Sequence, residues 1–228
     1  MNSSSFLSHK EKSLLLNKIM DLILTHSVVV GLKMSEVETI VYFKKSGPEN
    51  TEKALKLAYE YAIEYKIPKV LIASSKGTTA AKALDIFENT EMLVIITHSY
   101  GFIQPGENEF DVELLELLKK KNIAVLTTTH AFAGVDRAIR RAHNTWQIAE
   151  LIAEVYRTFG QGTKVCAEIT LMAADAGLIP MNTDILAMGG TGRGVDTVWQ
   201  IKPANTFNFL DLRMRKCLCK PISSSKKD

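Results

Sequence analysis

The chain alternates short apolar runs with stretches in which apolar residues recur every three or four positions. The short runs predict β-strands, and the periodic stretches predict amphipathic helices. Strands are expected at residues 40–43, 69–73, 92–97, 123–128, 184–188 and 197–202. Helices are expected at about residues 51–66, 78–88, 111–121, 134–142, 144–159 and 164–176. Strands that alternate with helices at this spacing predict right-handed βαβ units.

The expected fold class is therefore α/β, with three layers: a mostly parallel sheet and helices on both of its faces. The last two strands differ from the others, because only residues 189–196 separate them. A connection of this length is too short for the crossover helix that parallel strands require. These two strands are therefore predicted to form an antiparallel pair.

Both ends of the chain differ from this pattern. Residues 1–38 are predicted to form a helical extension, with a helix over about residues 9–25 that begins at the capping box of Ser8 and Glu11. Lysines interrupt its apolar positions too often for a membrane span, so no membrane partner is expected. The α/β domain is predicted at residues 39–212, with a short edge element after Pro203, and residues 213–228 are predicted to be a basic flexible tail.

A turn rich in hydroxyl groups follows the second predicted strand and precedes a helix. The first amides of a helix have no partner within it, and the helix dipole adds partial positive charge, so this geometry suits a phosphate. The side chains would add hydroxyl donors and one positive charge, and the glycine would allow close backbone approach. The alternative is that the hydroxyls only cap the helix. The turn comprises Ser74, Ser75, Lys76, Gly77, Thr78 and Thr79.

A second glycine-rich turn favours the anion interpretation. It joins the last two predicted strands over residues 189–194, where alternate glycines would let backbone amides approach a phosphate. An arginine within it is suited to bidentate phosphate binding. The predicted phosphate-binding residues of this turn are Gly190, Thr191, Gly192, Arg193 and Gly194.

With these two turns, the chain resembles the C-terminal α/β domain of pyruvate kinases, and more closely a small stand-alone family that carries only that domain and has no settled function. The kinase turn has the form Thr-x-Ser-Gly-x-Thr/Ser-Ala, and Ser74, Gly77, Thr79 and Ala80 stand at matching places, whereas Lys76 replaces the middle serine. Residues 185–194 and 198–201 resemble the strand, glycine-rich loop and returning strand near the kinase C-terminus. The resemblance covers roughly residues 39–203.

This resemblance implies an effector pocket. In the kinases the two loops hold the phosphates of a sugar-phosphate regulator, and catalysis belongs to a separate barrel of about 250 residues. This sequence contains nothing of that barrel, so pyruvate kinase activity is expected to be absent. The expected ligand is a phosphate-bearing small molecule, either flavin mononucleotide (FMN) or a sugar phosphate. FMN is suggested by analogy with flavodoxin-like proteins, its ring being covered by Tyr100, Phe102 or Trp199.

Two alternatives remain open. One is a small enzyme in which His98 and His130 act as acid and base on a phosphorylated or flavin-linked substrate, with Glu168 or Asp175 orienting one of them. Glu168 is otherwise expected on a helix surface or as a partner of the helix dipole. Residues 101–108 are either a lid over the site or an ordinary loop. No Ser-His-Asp signature and no metal-ligand spacing occurs.

The other alternative is a non-catalytic regulatory homo-oligomer assembled through helices of the second half of the chain. An apolar stripe there suits either the core or such an interface, and the core is the favoured assignment. The stripe comprises Ile148, Ile152, Val155 and Phe159.

Charge and cysteine content limit the partners and the compartment. The formal net charge is +3, from 28 Lys/Arg and 25 Asp/Glu, but residues 213–228 hold six of the bases and one acid. The remaining 22 bases and 24 acids make the body slightly acidic, so no nucleic-acid partner is expected. Cys166, Cys217 and Cys219 are an odd set without disulfide spacing, which predicts reduced thiols in the cytoplasm.

Overall fold

The computed structural model describes residues 39–222, which form the predicted α/β fold. The strands are β1 (Val41–Phe43), β2 (Val70–Ala73), β3 (Leu93–Ile96), β4 (Ala124–Leu126), β5 (Ile185–Gly189), β6 (Thr197–Lys202) and β7 (Arg213–Pro221). The α-helices are α1 (Thr51–Glu64), α2 (Thr78–Ile86), α3 (Val112–Lys120), α4 (Val135–His143), α5 (Ile148–Arg157) and α6 (Gln161–Asp175). The predicted N-terminal helix and the last six residues lie outside the described residues. Within residues 39–222, no helix combines the length and the apolar character needed to span a membrane.

The strands form one sheet in the order β1-β7-β6-β5-β2-β3-β4. All neighbouring pairs are parallel except those of β6, which runs antiparallel to β5 and to β7. The predicted antiparallel pair, β5 and β6, is thereby confirmed. Because only β6 is reversed, the carboxyl ends of the other six strands lie at one edge of the sheet.

Apolar side chains on both faces of the sheet form two separate cores. Val70 and Ile72 of β2 pack in a cluster with α1, α2 and α3, whereas Leu71 packs in a second cluster with α5 and α6. This alternation follows from the strand repeat of two residues, and full burial on both faces explains why β2 is a continuous apolar run. The predicted three-layer arrangement is therefore present, with helices on both faces.

The structure corrects the prediction for the C-terminal segment. Residues 213–221 are not a flexible tail but form β7, and this strand lies inside the sheet between β1 and β6 rather than at its edge. Its first half alternates exposed arginines with partly buried residues, and Cys217, Leu218 and Cys219 are buried in the second half. The basic residues of this segment predicted a tail, and its pairing with β1 was not visible locally because β1 lies at the other end of the domain sequence.

Candidate functional site

A cavity of about 780 Å³ lies beyond the carboxyl ends of β2, β3, β4 and β5. The connections of two neighbouring strands, β2 and β5, run over opposite faces of the sheet. Helix α2 follows β2 on one face, and α6 precedes β5 on the other. Such a reversal opens a crevice at the edge of an α/β sheet, where ligands usually bind. The predicted residues that line the cavity are Ser74, Ser75, Lys76, Thr78, Thr79, His98, His130, Glu168, Gly190, Gly192, Arg193 and Gly194.

The amino end of α2 opens into this cavity. Helix α2 begins after Gly77, and the Oγ of Ser74 accepts a hydrogen bond of 3.2 Å from the amide of Ala80. Ser74 therefore satisfies one first-turn amide from outside the helix, although Gly77 is the N-cap residue and no side chain caps the helix at that position. The amides of Thr78 and Thr79 belong to the first turn and have no acceptor within the helix. They remain available to an anion, together with the helix dipole.

Gly77 has a different role from the one predicted. It does not line the cavity; its φ of +96° places it in the left-handed region. A Cβ at this position would lie 2.7 Å from Cδ2 of Leu114 on α3. Glycine is therefore required by the backbone conformation and by close packing against α3.

The second glycine-rich turn folds back tightly on the amino end of α1. A Cβ on Gly194 would lie 2.2 Å from Oγ1 of Thr51, which itself accepts a hydrogen bond of 3.1 Å from the amide of Val195. A Cβ on Gly190 would lie 2.2 Å from the carbonyl oxygen of Gly194. These approaches hold the turn in a compact form that presents Arg193 to the cavity. Within residues 39–222, the exposed Arg193 side chain forms no ion pair or hydrogen bond.

The buried carboxyl group of Asp196 anchors this turn. It accepts hydrogen bonds from the Gly47 amide at 3.1 Å and from the Thr197 hydroxyl at 2.9 Å. Thr191 is also hydrogen-bonded to Asp196 rather than lining the cavity. Burial raises the pKa of Asp196, and these hydrogen bonds oppose the increase. Asp196 thus joins the loop after β1 to the loop after β5.

Glu168 lies at the floor of the cavity and is the centre of a buried charged cluster. Its side chain and that of Lys164 form an ion pair across one turn of α6, with both residues less than 5% exposed. Oε2 also lies 3.4 Å from Nδ1 of His130, and Oε1 accepts a hydrogen bond of 3.2 Å from the amide of Phe132. Burial raises the pKa of Glu168, but His130 and Lys164 outweigh that effect and hold it at about 2. The expectation of a helix-surface position for Glu168 was therefore wrong.

His98 forms a second carboxylate–histidine pair on the loop after β3. Its Nδ1 lies 3.0 Å from Oε2 of Glu109, whose other oxygen lies 3.7 Å from Nζ of Lys76. Burial lowers the pKa of His98, although the hydrogen bond to Glu109 opposes this change. The ring centroids of His98 and His130 are 5.5 Å apart, so the two pairs meet in one cavity.

Phe102 covers both imidazole rings. Its ring centroid lies 3.8 Å from that of His98 and 5.3 Å from that of His130, in stacked arrangements. Of the three aromatic residues predicted to cover a ligand ring, Phe102 alone lines the cavity. Tyr100 is exposed to solvent, and Trp199 packs in a core cluster with its Nε1 donating to Thr163.

Asp175 does not orient either histidine. Its carboxylate accepts hydrogen bonds from the amide and hydroxyl of Thr206 and from Asn205, near the carboxyl end of α6. Glu109 and Asp196 were not identified from the sequence, because Glu109 meets His98 only where the loop after β3 folds back, and Asp196 meets Gly47 on the loop after β1. Lys164 was missed as well, although the i,i+4 spacing of Lys164 and Glu168 on one helix was a usable signal.

No family model matches the chain. In the described part of the chain, no three His, Cys, Asp or Glu side chains converge as a metal-binding group. The candidate site is therefore defined by its geometry: an amino helix end, an unpaired arginine and two carboxylate–histidine pairs around one cavity.

Proposed function

We propose that this protein binds a phosphate-bearing small molecule in the cavity at the carboxyl edge of its sheet. One observation carries the proposal: the amino end of α2 and the unpaired Arg193 line the same cavity, although they are more than a hundred residues apart. Unpaired amides, a helix dipole and a guanidinium are the groups that recognise a phosphate. Lys76 and Lys82 at the same cavity add positive charge.

The remainder of the ligand would lie toward the loops after β3 and β4. That part of the wall carries Phe102 and Ile103, with Val165 and Ile169 of α6 beneath. A phosphate at the α2 end and a less polar body against this wall fit a ligand of the size of FMN or of a sugar phosphate. We further propose that the chain belongs with the stand-alone pyruvate kinase C-terminal-like domains and acts in the cytoplasm.

Native mass spectrometry of the untreated protein tests this proposal without prior choice of ligand. A retained phosphorylated compound would appear as a mass increment that disappears on denaturation. Isothermal titration with inorganic phosphate, FMN and fructose 1,6-bisphosphate then compares the three ligand types. If the protein carries no adduct and none of the three compounds binds at millimolar concentration, the proposal fails.

A regulatory homo-oligomer is a second candidate function, favoured by an exposed apolar stripe along α5 and the residues just after it. Ile148, Val155 and Phe159 are 78%, 63% and 55% exposed, which corrects their expected place in the core, and only Ile152 is partly buried. Exposed apolar side chains on one helix face are typical of protein–protein contacts. A shift in assembly on adding the phosphorylated ligand would support regulation.

A further inference from the structure

The proton positions on the two cavity histidines follow from their partners. The Glu168 carboxylate is ionised, since its pKa is held at about 2, and an ionised carboxylate only accepts hydrogen bonds. Nδ1 of His130 must therefore be the donor, which leaves a lone pair on Nε2 in the neutral ring. The same geometry at Glu109 makes Nδ1 of His98 a donor to that carboxylate.

Nε2 of His130 is the unusual atom of this site. It is buried, and among residues 39–222 it has no hydrogen-bond partner. Burying an unpaired polar nitrogen destabilises a fold. A protein that keeps such an atom beside a cavity therefore has a functional reason to retain it. Here the nitrogen belongs to a ring whose opposite side is oriented by a buried carboxylate, as in histidines that act as general bases.

The histidines and the proposed phosphate position follow different strands. His98 and His130 follow β3 and β4, whereas the α2 amides and Arg193 follow β2 and β5, which are the next two strands in the sheet. A ligand whose phosphate is held at the α2 end would therefore present its carbon skeleton, not its P–O bonds, to the imidazoles. Proton transfer at carbon and oxygen is the chemistry that fits this arrangement.

We propose that His130 and His98 are the base and the acid of a proton-transfer site that isomerises a phosphorylated α-hydroxy carbonyl compound. The inference rests on the proposed phosphate binding. Glu168 and Glu109 orient the two rings, and Lys164 and Lys76 are the cations next to these carboxylates.

The step balances without an oxidant or a reductant. Nε2 of His130 removes the proton from the carbon next to the carbonyl, and the C–H electron pair forms the C=C bond of an enediol. Doubly protonated His98 donates the proton on its own Nε2 to the carbonyl oxygen. His130 then returns its proton to the former carbonyl carbon while His98 takes the proton of the neighbouring hydroxyl, which completes the shift of the carbonyl group. Burial lowers the pKa of His98, so its doubly protonated form is a stronger acid but is populated only as the pH falls.

Hydrogen–deuterium exchange followed by proton NMR tests the proposal. Glyceraldehyde 3-phosphate, ribose 5-phosphate and glucose 6-phosphate are incubated with the full chain in D₂O, and the C2 proton signal is monitored. We expect loss of this signal for at least one compound, at a rate about 100-fold lower in H98N and in H130N. H143N changes an exposed histidine at the end of α4 and should leave the rate unchanged.

Binding of the same compounds and of inorganic phosphate, measured by calorimetry, separates the two proposals. If at least one compound binds but none of the three exchanges its C2 proton, the proton-transfer site is overturned and phosphate binding stands. If none of the three compounds binds and inorganic phosphate does not bind either, both proposals are overturned. Long-range ¹H–¹⁵N spectra of the unmodified protein provide a test independent of variant folding. Neutral His130 should be protonated at Nδ1, and a proton on Nε2 would overturn its role as base.

Discussion

Glu168 and Lys164 form an ion pair that is buried at the floor of the cavity, with the two residues 2% and 4% exposed. Removing one member of such a pair leaves the other charge buried and uncompensated. Because the same carboxylate also orients His130, this pair connects the stability of α6 with the geometry of the candidate site.

The first prediction concerns the variant E168Q, which should be destabilised by about 3–5 kcal/mol at pH 7 because Lys164 loses its counter-charge. Urea denaturation measures the difference. The control is E52Q, which removes an exposed i,i+4 pair with Lys56 and should have little effect. Equal destabilisation of the two variants would contradict the burial argument.

The second prediction is the pH dependence of this contribution. The folded-state pKa of Glu168 is about 2, below its ordinary value of 4.5, so the stabilisation is complete above pH 4.5 and is lost as the pH falls toward 2. Over this interval the wild-type protein should lose roughly 3 kcal/mol more of its unfolding free energy than E168Q does. Unfolding measured at several pH values checks this, and parallel curves for the two proteins would disagree with it.

The third prediction concerns the left-handed residue before α2. G77A should be destabilised by about 1–3 kcal/mol from backbone strain alone, and further by the clash with Leu114. G106A is the matched control, because Gly106 also has a positive φ, +77°, but has no atom within 4 Å of an added Cβ. Chemical denaturation should show the larger loss for G77A. If the two losses are equal, the contact with Leu114 is unimportant.

The fourth prediction concerns the phosphate contact. R193K keeps the positive charge but loses the bidentate geometry, so affinity for a phosphorylated ligand should fall about tenfold or more. Thermal stability should stay the same, because Arg193 has no partner in residues 39–222. R215K serves as the control, since Arg215 pairs with Asp184 instead of lining the cavity. Calorimetry that shows equal affinity for R193K and wild type would remove Arg193 from the site.

The fifth prediction concerns assembly. Replacing Ile148 and Val155 together by serine should convert an oligomer to monomers with little change in stability, because both side chains are exposed. Light scattering after gel filtration measures the mass. V112S changes a similarly exposed residue on α3 and should leave assembly intact. A monomeric wild-type protein would exclude the stripe as a homo-oligomer interface.

Local pattern predicted the fold well. The apolar run at residues 69–73 predicted β2, and the short link over residues 189–196 predicted that β5 and β6 are antiparallel. The Ser74 turn also predicted a helix start, because capping and turn chemistry depend on neighbouring residues. These features depend on interactions within a few positions of the chain, so they can be inferred without the tertiary structure.

Other features depended on distant partners. The charged segment at residues 213–221 is an interior strand because β1 and β6 flank it. The α5 stripe was assigned to the core because periodicity shows which side of a helix is apolar, not whether another element covers it. Glu109 could not be assigned to His98, since their contact depends on how the loop after β3 folds back.

The sequence by itself determined the order of elements as far as β6, the fold class and the two turns whose chemistry suits a phosphate. The tertiary structure alone decided that these turns share a cavity, that Gly77 packs against α3 rather than lining it, and that Glu168 is buried with Lys164. The physical reason is the separation of the interacting residues along the sequence. Periodicity and turn preference depend only on residues a few positions apart. Burial, ionisation and convergence at a site arise only when residues far apart in sequence come into contact.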